Sequence, residues 1–230
     1  MGKEDVKVSV VMPCLNEECA VGACVDEAYG YLERNGICGE VIVVDNGSTD
    51  NSALIAKCHR AKVISQKKKG YGCALRSGFN SARGDIIIMA DCDTTYDLSE
   101  MGSMISLIDE GYDLVIGDRI TGGRRRCAMS VIHRIGAMML SKIGRQKIHT
   151  DVNDFHCGIR GIRREALGRL KFHTEGMEFA TEMIAEAVKE GLRITQIPVT
   201  LRKCTVMRRS KLSIVRDGYR HLKYMITLDQ

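Results

Sequence analysis

Several short runs in this 230-residue chain carry side chains able to handle a phosphorylated ligand. Asp91-Cys92-Asp93 places two carboxylates on either side of one residue. Hard oxygens at that spacing suit Mg²⁺ or Mn²⁺, with a diphosphate completing the shell. Read alone, the pair is better explained as a turn in which one aspartate caps the next helix. The hydrophobic run before it, and other acidic segments in equivalent places, reverse that preference. Pro13-Cys14-Leu15-Asn16-Glu17, Asp45-Asn46-Gly47-Ser48-Thr49-Asp50 and Gly117-Asp118-Arg119 each follow an apolar stretch. In Asp45–Asp50, Asn-Gly makes a turn and Ser48 or Thr49 can cap a helix, while Asp45 could accept hydrogen bonds from a nucleobase. The cationic runs Lys67-Lys68-Lys69-Gly70, Arg124–Arg126 and Arg208-Arg209-Ser210-Lys211 either meet phosphates or are solvated charge. His133, His156 and His173 form no metal-spaced or triad pattern and read as structural.

The elements that must position these residues alternate in type. Lys7–Met12 reads as a strand ending at Pro13. Glu40–Asp45, Lys62–Ser65, Asp85–Asp91 and Asp113–Gly117 read as further strands, several of them continuous apolar runs covered on both faces. Helical patterns occupy Ser52–Arg60, Tyr71–Ala82 and Leu98–Glu110 between them. The alternation predicts an α/β sandwich with a mainly parallel sheet. Ligands of such sheets bind beyond the carboxyl ends of the strands, where the acidic runs lie. The second half is less regular. Asp118–Arg126 reads as a loop, Ser130–Ile143, Arg163–Leu170 and Phe179–Glu190 as helices, and Arg193–Leu201 as a strand. Leu212–Leu228 reads as a basic amphipathic helix with Val215, Tyr219, Leu222 and Ile226 on one face. That divides the chain into an α/β unit over 1–211 and a helix over 212–230 suited to a membrane surface.

Composition narrows the function classes. With 44% hydrophobic and 27% charged residues, the chain suits a globular protein rather than a disordered or fibrous one. The formal charge of +5 suggests an anionic partner without naming it, and no nucleic acid is expected. Ten cysteines without Cys-x-x-Cys spacing, and no secretory leader, read as reduced core residues of a cytoplasmic protein. No apolar run approaches the ~18 residues of a membrane span. The chain also lacks Gly-x-Gly-x-x-Gly after the first strand and Gly-x-x-x-x-Gly-Lys-Ser/Thr anywhere, which disfavours dinucleotide-binding dehydrogenases and P-loop enzymes.

The ordered set Pro-x-Leu-Asn-Glu, Val-Val-Asp-Asn-Gly-Ser-Thr-Asp, Lys-Gly-x-Gly-x-Ala and Asp-x-Asp resembles the family 2 glycosyltransferases over about Val8 to Met225. Gly117-Asp118-Arg119, Asp154–Arg160, Glu178–Met183 and Ser210-Lys211-Leu212 look like the branch that acts on dolichyl or polyprenyl phosphate. The resemblance implies a GT-A fold, a UDP- or GDP-hexose donor and a bound Mg²⁺ or Mn²⁺. It assigns Pro13, Leu15, Glu17 and Asp45 to the nucleoside, and Asp91 and Asp93, with Cys92 between them, to the metal and diphosphate. Gly70, Arg208 and Arg209 join the donor contacts, and Arg119 and Lys211 would neutralise phosphate. Asn46 stands where many members have aspartate, Cys157 where many have serine, and Thr205 where many have arginine.

The implied reaction is an inverting transfer to polyprenyl phosphate on the cytoplasmic membrane face. It leaves room for an integral-membrane partner, because many bacterial relatives carry membrane helices after the catalytic unit. A soluble glycan acceptor, a non-catalytic nucleotide-sugar-binding subunit and, more remotely, a sugar nucleotidyltransferase are the alternatives.

Overall fold

The computed structural model describes residues 5–120, 131–202 and 214–228. A seven-stranded sheet in the order β3-β2-β1-β4-β6-β5-β7 forms its centre. The strands are β1 (Val8–Cys14), β2 (Gly39–Asp45), β3 (Lys62–Ser65), β4 (Ile86–Met89), β5 (Leu114–Asp118), β6 (Arg160–Arg163) and β7 (Ile194–Pro198). β1, β2 and β4 are buried almost throughout because helices cover both faces, which is why they read as unbroken apolar runs. All neighbouring pairs are parallel except those of β6, which runs antiparallel to β4 and β5.

The register sets the site. Cys14 pairs with Asp45 and Met89 with Val11, so the ends of β1, β2 and β4 emerge together. Asp118, ending β5, pairs with Pro198. The acidic runs therefore share one rim of the sheet.

The helices are α1 (Val21–Arg34), α2 (Ser52–Cys58), α3 (Tyr71–Ser81), α4 (Met101–Asp109, after a 3₁₀ turn at Leu98–Glu100), α5 (Val131–Ile148), α6 (Arg164–Leu167), α7 (Phe179–Lys189) and α8 (Ile214–Thr227). Two elements depart from the sequence reading. α1 has no counterpart in it, although Val21, Cys24, Val25, Ala28 and Leu32 form its buried stripe. β6 is the other. Its first residue, Arg160, is wholly buried, and burial lowers its pKa. The guanidinium donates to the carbonyls of Phe155 at 2.7 Å, Cys157 at 3.1 Å and Ala180 at 2.7 Å, so a charged side chain serves as a core strut. β1 also runs through Pro13, whereas β4 stops at Met89, leaving Asp91 and Asp93 in the loop beyond it.

α8 packs on α5 and α7, but not through the expected stripe. His221 and Met225 are buried, while Tyr219 and Ile226 stand exposed. The cysteines divide as well. Cys14, Cys24, Cys73, Cys92 and Cys157 are buried free thiols, but Cys19, Cys38 and Cys58 are exposed, so core packing does not explain those three.

Removing the Arg160 strut strands three carbonyls in the core. Arg160→Ala is expected to cost about 3 kcal/mol or more. A denaturant midpoint indistinguishable from the parent would contradict that role.

Candidate functional site

The loops after β1 and β2 are laced together. Asn16, at φ 50°, accepts from the Thr49 amide at 2.7 Å, and its own amide donates to Ser48 Oγ at 2.9 Å. The Glu17 amide donates to Ser52 Oγ at 2.7 Å, and the Glu18 amide to Asp50 at 3.2 Å. Asp45 accepts from the Ser48 amide at 3.1 Å, closing the turn that Asn46-Gly47 makes. Glu17 is buried, and Pro13, Leu15 and Asp45 are half-buried at the mouth of this pair of loops.

Asn46 has a different task from its neighbour. It is buried, and its amide nitrogen donates to the carbonyls of Gln66 at 3.0 Å and Lys68 at 2.8 Å. Its oxygen accepts from the Gly70 amide at 2.7 Å. One carboxamide thus shapes the loop that carries Lys67, Lys68 and Lys69, all exposed. A carboxylate could not donate to those carbonyls, which gives Asn46 a physical reason where aspartate is common. Gly70, at φ 143°, lies so close to the Glu175 carbonyl that an added Cβ would come within 2.2 Å of its oxygen. The 173–175 segment it abuts is in turn held by buried Glu182, which accepts from the His173 amide and from Thr174.

At the end of β4, the Tyr71 hydroxyl donates to Asp91 at 3.1 Å. A Cβ on Gly158 would meet the other Asp91 oxygen at 2.2 Å, so the carboxylate packs directly on that backbone. Asp93 accepts from the Thr95 amide at 3.0 Å and from its hydroxyl. Cys92 is buried, and its thiol donates to the Pro13 carbonyl at 3.1 Å. It ties the loop after β4 to the end of β1. Burial, reinforced by negative Asp93, Glu27 and Glu17, pushes the Cys24 thiol up to about 12. The acidic side chains thus share one electrostatic neighbourhood.

Their oxygens fit a hard divalent cation, but as a partial shell. Among the described residues, no three His, Cys, Asp or Glu side chains gather as a metal site. An ion here needs oxygens from its ligand, as expected for one that arrives with a diphosphate.

Arg119 is not a free cation. Its Nε and Nη2 donate to Asp154 at 2.6 and 2.8 Å in a two-pronged pair, and its amide adds a contact at 3.1 Å. Asp154 is fully buried. Burial raises its pKa, but the Arg119 charge and hydrogen bonds outweigh that and hold it below the usual carboxylate range. The pair closes the end of β5 onto the segment leading to β6. Tyr96 joins them by accepting from the Gly158 amide at 2.8 Å.

His156, which the sequence reads as structural, lies on that segment. Both ring nitrogens are buried without a hydrogen-bond partner among the described residues, and His221 of α8 stacks edge-on at 4.3 Å between centroids. Burial and the neighbouring His221 hold its pKa well below the ordinary value, so it stays neutral. No sequence signal separates such a histidine from a surface one, because its setting is built by three distant segments. Arg208, Arg209 and Lys211 lie outside the described residues, as do Arg124–Arg126. The chain enters the later segment at Arg202, whose amide donates to the Thr95 carbonyl at 2.7 Å and whose guanidinium pairs with Glu27 and Asp97.

Residues 9–171 match the family model described as glycosyl transferase family 2. The chain is 36% identical over 221 residues to the low-salt glycan biosynthesis hexosyltransferase Agl6 of Haloferax volcanii, spanning 95% of this chain but 53% of that protein. It is 31% identical to a dolichyl-phosphate hexose transferase of the same organism, covering 85% of this chain and 83% of the relative. A crystal structure of glucosyl-3-phosphoglycerate synthase from Mycobacterium tuberculosis, with Mn²⁺, UDP-glucose and phosphoglyceric acid, superposes with a TM-score of 0.74. It shares 25% identity and covers 96% of this chain and 78% of that one. The sheet and its flanking helices are those of the GT-A fold.

Two measurements probe this construction. Asn46→Asp sets a carboxylate against two carbonyl oxygens, and is expected to cost about 2 kcal/mol and to weaken UDP or GDP binding. An unchanged thermal midpoint and affinity would count against it. His156 titrates in the unfolded chain near pH 6.5 but stays neutral when folded, so the unfolded state binds more protons below that pH. Stability should therefore be fully present above about pH 6.5 and fall with acidification. His156→Phe should show a shallower fall between about pH 6.5 and 5 than the parent. Equal slopes would place the acid sensitivity elsewhere.

Proposed function

The chain belongs to glycosyl transferase family 2, and from that premise we propose that it moves a hexose from a nucleotide-diphospho-sugar to a polyprenyl phosphate with inversion. The observation that carries this reading is the convergence of Glu17, Asp45, Asp91 and Asp93 on one sheet rim, above a cation-bearing loop shaped by Asn46. Names of relatives support the acceptor class, one of them being a dolichyl-phosphate hexose transferase.

In this reading Pro13, Leu15, Glu17 and Asp45 bind the nucleoside, and the loop ending at Gly70 passes beside the diphosphate. Asp93, together with Asp91, would hold a divalent ion. When bound, the ion stabilises negative charge developing on the leaving diphosphate. Asp91 is kept in place by Tyr71, whose burial holds its hydroxyl protonated and donating. Arg119, already tied to Asp154, orients rather than floods the site with charge, and offers its remaining N–H edge to a phosphate oxygen. Arg208, Arg209 and Lys211 supply further cations in this proposal.

A lipid phosphate is anionic before it attacks, so no strong general base is required of the protein. Transfer then breaks the anomeric carbon–diphosphate bond as the acceptor phosphate oxygen bonds to that carbon, releasing a nucleoside diphosphate. The unit over 1–211 would carry the chemistry, with the helix after it serving a membrane surface. Among the described residues no helix is long and apolar enough to cross a membrane.

The test is a matrix of UDP- and GDP-hexoses, with undecaprenyl or dolichyl phosphate present or absent and chelator present or absent. Lipid- and metal-dependent transfer is expected. Asp93→Asn should lower turnover at least ~100-fold in protein that remains folded. Transfer to a soluble glycan without lipid would sink the acceptor assignment, and chelator-resistant transfer would sink the metal.

A further inference from the structure

A cavity of about 430 Å³ opens between the second half of α3 and α6. It sits at the start of β4, where Ile87 lines it and pairs with Ser9 near the start of β1. The acidic rim lies past the other end of those strands, so this cavity is separate from the proposed donor site.

Its walls are of two kinds. Phe79, Leu167 and Phe172 present apolar surface. Both rings pack on buried Phe179, with centroids 6.2 and 4.7 Å away, so the aromatic wall is fixed before any ligand arrives. The remaining wall is cationic. Arg76 and Arg164 line it, both half-buried, together with exposed Asn80. No aspartate or glutamate among the described residues lines it. Arg76 also bears on Glu175, but that carboxylate is already paired with Lys68 at 2.5 Å.

The backbone positions each guanidinium and leaves it donors to spare. Arg164 donates from Nε to the Gly84 carbonyl at 2.8 Å and from Nη2 to the Ala82 carbonyl at 2.7 Å. Arg76 donates from Nη1 to the Phe172 carbonyl at 3.1 Å and from Nη2 to the Cys73 sulfur at 3.7 Å. A guanidinium carries more N–H groups than these bonds use, so both side chains can meet a further acceptor. Two cations held in place, with no carboxylate in the wall beside them, favour an anion there.

We propose that this cavity binds a small organic anion, with a planar apolar body against Phe79 and Phe172 and a phosphate or carboxylate head on Arg76 and Arg164. An inorganic anion would leave the aromatic wall uncovered, and a neutral aromatic would leave the guanidiniums unmatched. The volume suits one small molecule. The site is independent of the donor and acceptor assignments, since neither places a group at the start of β4. It is not isolated from the rim, however. Phe172 begins the segment ending at Glu175, whose carbonyl accepts from the Gly72 amide at 2.9 Å beside the lysine loop. A bound anion would thus rest on the segment that abuts Gly70.

The experiment follows the fluorescence anisotropy of 1-naphthyl phosphate added to the full chain, which has no tryptophan to interfere. Saturating UDP or GDP with Mg²⁺ is present in one arm and absent in the other, and 1-naphthoate and 1-naphthol are run as competitors. Both naphthyl anions should bind one saturable site, roughly tenfold more tightly than 1-naphthol, whether or not the nucleotide is present. Asn80→Asp sets a carboxylate beside the head without touching the carbonyl bonds of either arginine. It should weaken 1-naphthyl phosphate at least about threefold, and Asn80→Lys should tighten it, both at the parental thermal midpoint. Arg164→Gln should weaken it at least about fivefold, and the Asn80 pair decides the matter if that variant does not fold. Displacement of the probe by UDP or GDP would overturn the proposal by moving the probe to the donor site. Equal affinity for 1-naphthol would also overturn it, as would Asn80→Asp and Asn80→Lys both binding as the parent does.

Discussion

One buried carboxylate holds the rim together. Asp154 accepts from the Arg119 side chain twice, from the Arg119 amide and from the His156 amide, and it has no exposure to water. A buried charge survives only when paired and hydrogen-bonded, and losing either partner leaves the other uncompensated at about 3–5 kcal/mol. The end of β5 and the segment before β6 therefore cannot separate. Gly158, on that segment, packs against Asp91, and Tyr96 takes its amide. Displacing Asp154 would shift the backbone on which the Asp91 carboxylate rests.

The rest of the rim repeats this arrangement with other polar side chains. Asn46, Asn16, Ser52 and Glu182 each satisfy backbone groups of a segment remote in sequence. Loops that would otherwise expose unpaired amides and carbonyls acquire defined shapes. The carboxylates they surround are poor company for a diphosphate by themselves. In the proposed reaction their usefulness depends on a cation arriving with the ligand and on the lysine loop that Asn46 shapes.

Much of this was legible along the chain. The buried strands β1, β2 and β4 announced themselves as apolar runs, and their acidic sequels pointed to one edge of a parallel sheet. α1 was missed because its stripe is built from cysteine, valine and alanine and interrupted by Gly22 and Gly30. β6 was missed because Arg-Gly-Ile-Arg has no apolar alternation, and only the three carbonyls around Arg160 make it a core strand. The stripe on α8 was visible, but the helix buries the adjacent face, with His221 turned to Thr181 and His156.

Composition and local pattern by themselves determined the fold class and the position of the acidic runs after strands. These follow from periodicity and turn chemistry, which act between near neighbours. Tertiary structure alone decided that Arg119 is neutralised by Asp154, that Cys92 is a strut, that Asn46 must be an amide and that Arg76 and Arg164 line one cavity. Each depends on groups dozens of residues apart meeting at a few ångströms. Whether a charge is free, paired or buried is settled by those meetings and not by residue type.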